Sequence, residues 1–194
     1  MPSPYKLPRT PPPRERFIRF PLLAAAALAL TACGSETPPA DAAPAVPVEP
    51  VVTRHNGVHL AKLTANDAMR YNAARFNLPA GAQVRLTLVN TGSKPRQTHG
   101  HNWVLLPRNA DPYDFIYAQG ATLDNDYIPP AWQDKVLAHT PVLGPGQNAT
   151  ITFTAPTEPG EYTYLCSFPA HFESGMLGTL VITPNDENPA APGN

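Results

Sequence analysis

The amino-acid sequence predicts an all-β protein, an antiparallel β-sandwich with one short helical excursion. Three observations carry this: apolar and polar residues alternate over several short runs, turn signals separate those runs, and a single segment reads as a helix. In Gln83–Asn90, Val84, Leu86 and Leu88 share one face, and Arg85 and Thr87 lie on the other. In 149–154, Ile151 and Phe153 alternate with Thr150, Thr152 and Thr154; 161–166 and Leu177–Thr183 are further strand candidates. Between them stand Pro79, Ala80 and Gly81, then Asn90, Thr91 and Gly92, then Gly144, Pro145 and Gly146, and finally Pro159 and Gly160. Glycine, proline and asparagine in such clusters set the backbone for turns. Asp111, Pro112 and Asp114 offer an N-cap, a proline at the first helical position and an acid in the first turn, and Gly120 offers a stop. They predict a helix over 112–119. Short strands at this spacing are the pattern of a sandwich.

The 194 residues suffice for one domain with a real core. The 26 prolines would be unusual in a compact domain, but they cluster at the ends and so mark its limits. Residues 1–32 read as a secretory leader: a basic stretch ending in Arg19, an apolar run from Phe20 to Leu30, then Thr31, Ala32 and Cys33. At roughly 1.5 Å per residue that run falls well short of a ~30 Å hydrocarbon core. The ending Leu30, Thr31, Ala32, Cys33 resembles a bacterial lipobox, which implies cleavage before Cys33 and acylation of its thiol; ordinary cleavage leaving a free Cys33 is the alternative. Gly34, where an aspartate would favour inner-membrane retention, points to the outer membrane and to an exported lipoprotein facing the periplasm. Residues 33–50 form the lipidated cysteine and a Pro/Ala-rich linker of polyproline character, reaching at most ~50 Å. The domain is expected over 51–183 and a disordered tail over 184–194. Within 51–183 there are nine Lys and Arg against nine Asp and Glu. A neutral domain lacks the basic patch that nucleic acid requires.

Cys166, His171 and Met176 place a thiolate, an imidazole and a thioether on one short stretch. This set suits copper, because soft sulfur and borderline imidazole donors hold both of its common oxidation states. A fourth ligand must come from elsewhere, and His101, before Asn102 and Trp103, is the best candidate. Each has a plainer alternative: Cys166 a buried or intermolecularly paired thiol, His101 an ordinary strand histidine, Met176 a core residue. Asn102 is expected to hydrogen-bond the backbone near Ser167 and tie the two ligand segments together; otherwise it is a turn asparagine. Phe168, Pro169, Ala170 and Phe172 flank His171 and are expected to form an exposed apolar docking patch, with packing against the sandwich as the alternative. Trp103 is expected in the core. His55 and His59 lack a helical face to support metal binding, and His99 and His139 are expected beside the ligands or in solvent.

These motifs, with Asp126, Tyr127 and Ile128, with 136–140, Leu143 and Gly144, and with Gly178, Thr179 and Leu180 after Met176, resemble the cupredoxins over about residues 58 to 183. Within them the chain is similar to the azurins, and with its lipobox and linker to lipid-modified azurins. The resemblance implies a Greek-key sandwich with one copper ion at a pole. His101, Cys166 and His171 would hold it, with Met176 axial and the Gly100 carbonyl a weaker axial neighbour. Three departures stand out. The family's disulfide near the domain's amino end is missing, since Cys166 is the domain's lone cysteine. The His171 to Met176 spacing matches plastocyanins and auracyanins and is one residue longer than in azurins. His99 replaces an apolar residue.

The expected function is one-electron transfer by Cu(I)/Cu(II) and not enzyme catalysis, since three strong ligands leave no open position and no nucleophile–base pair is present. The expected partners are redox proteins, such as a c-type cytochrome or a copper or haem oxidase or reductase, met by a monomer tethered to a membrane. The alternative is a periplasmic copper-storage or delivery lipoprotein, against which weighs a mature chain with only Met69 and Met176. A surface lipoprotein for protection or host contact is a third reading.

Overall fold

Ten strands fill two five-stranded sheets in the computed structural model, which describes residues 51–185. The leader, Cys33, the linker to residue 50 and the tail from 186 lie outside the described residues. The first sheet contains Val52–His55 (β1), Val58–Asn66 (β2), Arg70–Tyr71 (β3), Gln83–Asn90 (β5) and Asn148–Thr154 (β8), in the order β1-β2-β5-β8 with β3 on β2. The second contains Arg75–Pro79 (β4), Val104–Leu105 (β6), Ala138–His139 (β7), Gly160–Leu165 (β9) and Leu177–Thr183 (β10), in the order β4-β10-β9-β6-β7. The expected purely antiparallel arrangement is corrected at two places, since β2 pairs with β5 and β4 with β10 in parallel. Connectivity is the reason. The chain leaves β2, runs through β3 and into β4 of the other sheet before returning as β5, whereas a hairpin would have reversed it.

The period-two strands sit as their patterns require. Val84, Leu86 and Leu88 of β5 are buried and Arg85 is exposed. Opposite them in β8 stand Phe153, Ile151 and Ala149. Trp103 bridges the layers, its ring 5.8 Å from Phe153 of one sheet and 5.9 Å from Tyr164 of the other. A second, smaller cluster of Val104, Leu106, Phe115, Ile128, Leu165 and Phe172 lies across the second sheet. Successive strand residues point to opposite faces, so Leu105 and Tyr164 enter the main core while their neighbours Val104 and Leu165 enter this one.

The predicted helix is present but shorter. Pro112–Ile116 (α2) starts as expected, with the Asp111 carboxylate accepting from Tyr113 N at 2.8 Å. It stops before 119 because Phe115 is its one buried residue, and a helix this short has little else to hold it. A four-residue helix at Arg96–His99 (α1) and short 3-10 turns at Leu123–Asn125 and Pro130–Trp132 complete the elements.

Candidate metal centre

Three candidate ligand side chains converge, one from an isolated bridge, one from just past the end of β9 and one from the loop that follows it. His101 is held between backbone bonds to Leu143, donating N–H to its carbonyl at 3.1 Å and accepting at 2.8 Å. Gly100 before it is buried against Val142 and the Arg96 carbonyl; a Cβ there would meet Val142 Cγ1 in a clash and Arg96 O at 2.7 Å. Only glycine admits that approach. Cys166 follows the last residue of β9, and its N–H donates to the Met176 carbonyl at 3.1 Å.

From Phe168 the chain makes a compact loop in which His171 N donates to the Phe168 carbonyl and Ser174 N to the Ala170 carbonyl, both at 3.1 Å. The loop ends as helices end. Gly175 N donates to the Phe172 carbonyl at 2.8 Å and Met176 N to the His171 carbonyl at 2.9 Å. With Gly175 at φ 89°, these are the paired bonds of a Schellman closure, which needs a left-handed residue. The His171 to Met176 spacing is therefore the length this closure requires, and it ties Met176 directly to both His171 and Cys166.

The donor atoms of His101, Cys166 and His171 lie within 4.8 Å of one another, with Cys166 Sγ 3.5 Å from His171 Nδ1. His101, Cys166 and Met176 are fully buried and His171 is 2% exposed. Among the described residues neither ring nitrogen of His101 has a hydrogen-bond partner. Burying an imidazole with both nitrogens unmet costs free energy that a metal bond would offset. One thiol and two imidazoles facing each other fit copper.

Burial, with His101 and His99 nearby, pushes His171 down to about 3. Burial and then His99 push His101 down to about 4, against the opposing pull of Asp67. Burial pushes the Cys166 thiol up to about 12, although the N–H groups of Asn102 and Phe168 favour the thiolate. At neutral pH both imidazoles are thus ready ligands, while Cys166 must lose a proton when metal binds. The metal-free protein should be most stable between the ordinary values of histidine, 6.5, and cysteine, 9.0. As pH falls from 6.5 toward 3 the unfolded chain binds protons that the buried imidazoles refuse, and stability is lost. Above 9 the unfolded thiol ionises before the buried one, and stability falls again. Denaturant midpoints of the metal-free protein across pH 3 to 11 check this dome.

Asn102 joins the two ligand segments. Its Oδ1 accepts from Ser167 N at 2.9 Å, and its Nδ2 donates to Ser167 Oγ and to the Asp126 carbonyl, each at 2.8 Å. The expected docking patch is corrected. Pro169 and Ala170 are exposed, but Phe168 is 6% and Phe172 7% exposed. Phe168 packs on Tyr127 at 5.0 Å, and Phe172 enters the second cluster against Tyr113 at 5.1 Å. Loop aromatics have access to two cores here, and burial outweighs exposure. His99 is half-buried, its ring 4.8 Å from that of His171 and 5.4 Å from that of His101. His139 is exposed. Sequence reasoning overlooked Asp126 as a clamp, whose Oδ1 accepts from Val142 N at 2.7 Å. It also overlooked Arg70, for which the sequence carries no local signal.

A two-sheet β-sandwich with a buried thiol and two imidazoles converging at one end defines the blue copper class. Residues 58–183 match the copper-binding proteins of the plastocyanin/azurin family, and the chain belongs to that family. It is 37% identical to auracyanin-B of Chloroflexus aurantiacus over 62% of its own length and 50% of that protein's, so it spans half of that relative. It is 34% identical to outer membrane protein H.8 of Neisseria meningitidis over 77% of this chain and 90% of that one. A solved azurin, iso-2 from Methylomonas sp. strain J, superposes with a TM-score of 0.56 at 32% identity, over 64% of this chain and 97% of that one.

Proposed function

We propose that this protein is a one-electron carrier held at a bacterial membrane by lipid on Cys33. The convergence of His101, Cys166 and His171 in a buried site, with the His101 nitrogens otherwise unmet, is the observation that carries the reading. Bound copper supplies the redox couple, Cu(II) to Cu(I). His101 anchors the site from the Leu143 bridge, Cys166 contributes the thiolate, and His171 brings its ring to the loop that carries exposed Pro169 and Ala170. Met176 would supply a thioether to the copper, and the Gly100 carbonyl would be a weaker neighbour. Because Asn102, the Leu143 bridge and the loop closure hold these groups on rigid elements, little rearranges between oxidation states. The carrier performs no substrate chemistry, and the same closure argues against a delivery role, which needs an open site.

The partners are redox proteins of the c-type cytochrome or copper or haem oxidase or reductase kind, met by a monomer through a contact below about 1,200 Å². The tether, the linker of 33–50 and the likeness to a protein named for the outer membrane support an exported lipoprotein there. The test is the visible spectrum of residues 51–194 loaded with Cu(II), before and after ascorbate. An intense band that bleaches and returns supports the carrier. A pale spectrum, or copper released on reduction, favours storage or delivery. In cells, Cys33→Ala should move the full-length protein from the membrane pellet to the soluble fraction.

A further inference from the structure

The turn between β2 and β3 touches both stretches that carry ligands. Asn66 Oδ1 accepts from Ala68 N at 3.1 Å and Arg70 N at 3.2 Å, and Met69 N donates to the Asn66 carbonyl at 2.9 Å. These bonds fold 66–70 tightly, with Met69 at φ 55°. On one side His99 Nε2 donates to the Asp67 carbonyl at 3.1 Å, and the Asp67 carboxylate accepts from the N–H groups of Ser93 and Lys94. On the other, Arg70 reaches the loop that carries His171. Its Nη1 donates to the Ser174 carbonyl at 2.6 Å and to the Met69 carbonyl at 2.8 Å, with the Ala68 carbonyl at 3.5 Å.

The Schellman closure at Gly175 uses the His171 and Phe172 carbonyls and leaves that of Ser174 without an intraloop partner, as the last turn of a helix does. Basic side chains satisfy such carbonyls at helix ends. Here the basic group arrives from a strand 104 positions away. The guanidinium also faces Gly175, with Nη2, Cζ and Nη1 at 3.6, 3.7 and 3.7 Å from where a Cβ would stand. It therefore covers the residue whose left-handed conformation closes the turn.

We propose that Arg70 is a positioning residue for the Met176 side of the metal site. By capping Ser174 it keeps the closure shut, and so sets where Met176 stands relative to His171 and Cys166. The Met176 carbonyl remains tied to Cys166 N, so loss of Arg70 loosens residues 172–175 and displaces the thioether without unfolding the sandwich. A charge-assisted bond differs here from a merely structural contact, because its removal is read at the metal. The inference rests on the blue copper reading, and the wild-type spectrum separates the two. A wild type without the thiolate band overturns that reading, whereas a normal wild type with an unaffected variant overturns this inference alone.

The experiment compares wild type, Arg70→Ala and Arg70→Lys, with Arg75→Ala as control because that residue pairs with Glu161 on an exposed surface. The metal-free proteins are read by hydrogen exchange and the copper-loaded ones by absorption, electron paramagnetic resonance and potential. In Arg70→Ala, exchange at the Gly175 and Met176 amides should rise by about tenfold or more, the scale of a lost hydrogen bond to a charged group. The ratio of the two thiolate-to-copper bands and the potential should both shift, and Arg70→Lys should restore most of each change. Should Arg70→Ala fail to hold copper, faster exchange confined to those two amides supports the proposal. Unchanged exchange and spectrum, or a lowered melting midpoint shared with Arg75→Ala and no change at the metal, overturns it.

Discussion

Cys166→Ser should abolish the intense visible band altogether and weaken copper binding by more than about a hundredfold, the upper end for residues that merely support a ligand. The reason is chemical rather than steric. Serine occupies nearly the same space, and the backbone bond from residue 166 to the Met176 carbonyl is untouched. Its hydroxyl does not ionise near neutrality, so the site loses its one soft, anionic donor and keeps two neutral imidazoles. The cysteine itself must give up a proton from a thiol that burial has pushed up to about 12. Wild-type binding should therefore release a proton and weaken as pH falls, while the serine variant should bind without that release. Absorption and calorimetric titration in two buffers of different ionisation enthalpy check both effects. A variant that kept the band, or bound with unchanged affinity, would remove Cys166 from the ligand set.

Asn102→Ala should cost about 3–5 kcal/mol of stability. The side chain makes three hydrogen bonds in a buried position, and its loss leaves the Ser167 N–H without a partner. An orphaned buried donor costs about 1–3 kcal/mol, and each of the other bonds about 1 kcal/mol. Because Ser167 adjoins Cys166 and residue 102 adjoins His101, the same change should lower copper affinity by about 10- to 100-fold. Urea denaturation of the metal-free protein and competition against a copper chelator measure the two effects. A loss under about 1 kcal/mol with unchanged affinity would mean that the two ligand segments keep their places without the amide.

Much of the site was legible because its chemistry is written locally. Cys166, His171 and Met176 lie within one stretch, and His101 carries recognisable neighbours in Asn102 and Trp103. The partnership of Asn102 with Ser167 was equally readable, since an amide offers donor and acceptor together. Strands with one buried face, such as Gln83–Asn90, were readable from their period. The hairpin of β1 and β2 was overlooked although Asn56 and Gly57, both at positive φ, form its two-residue turn. Asn-Gly is a strong hairpin signal, so this turn is written in the sequence.

Other features had no local trace. Whether Phe168 and Phe172 lie open beside His171 or buried depends on the main core, which takes Phe168, and on a second core across the second sheet, which takes Phe172 beside Phe115, Ile128 and Leu165. The cap that Arg70 places on Ser174 joins residues in different elements, and nothing near either one announces the other. The sequence by itself determined the metal chemistry and the strand faces, because donor type and side-chain period belong to neighbouring residues. Tertiary structure alone decided the parallel pairs, the fate of the loop aromatics and the brace at Arg70, because these follow from where distant segments meet once burial has chosen the packing.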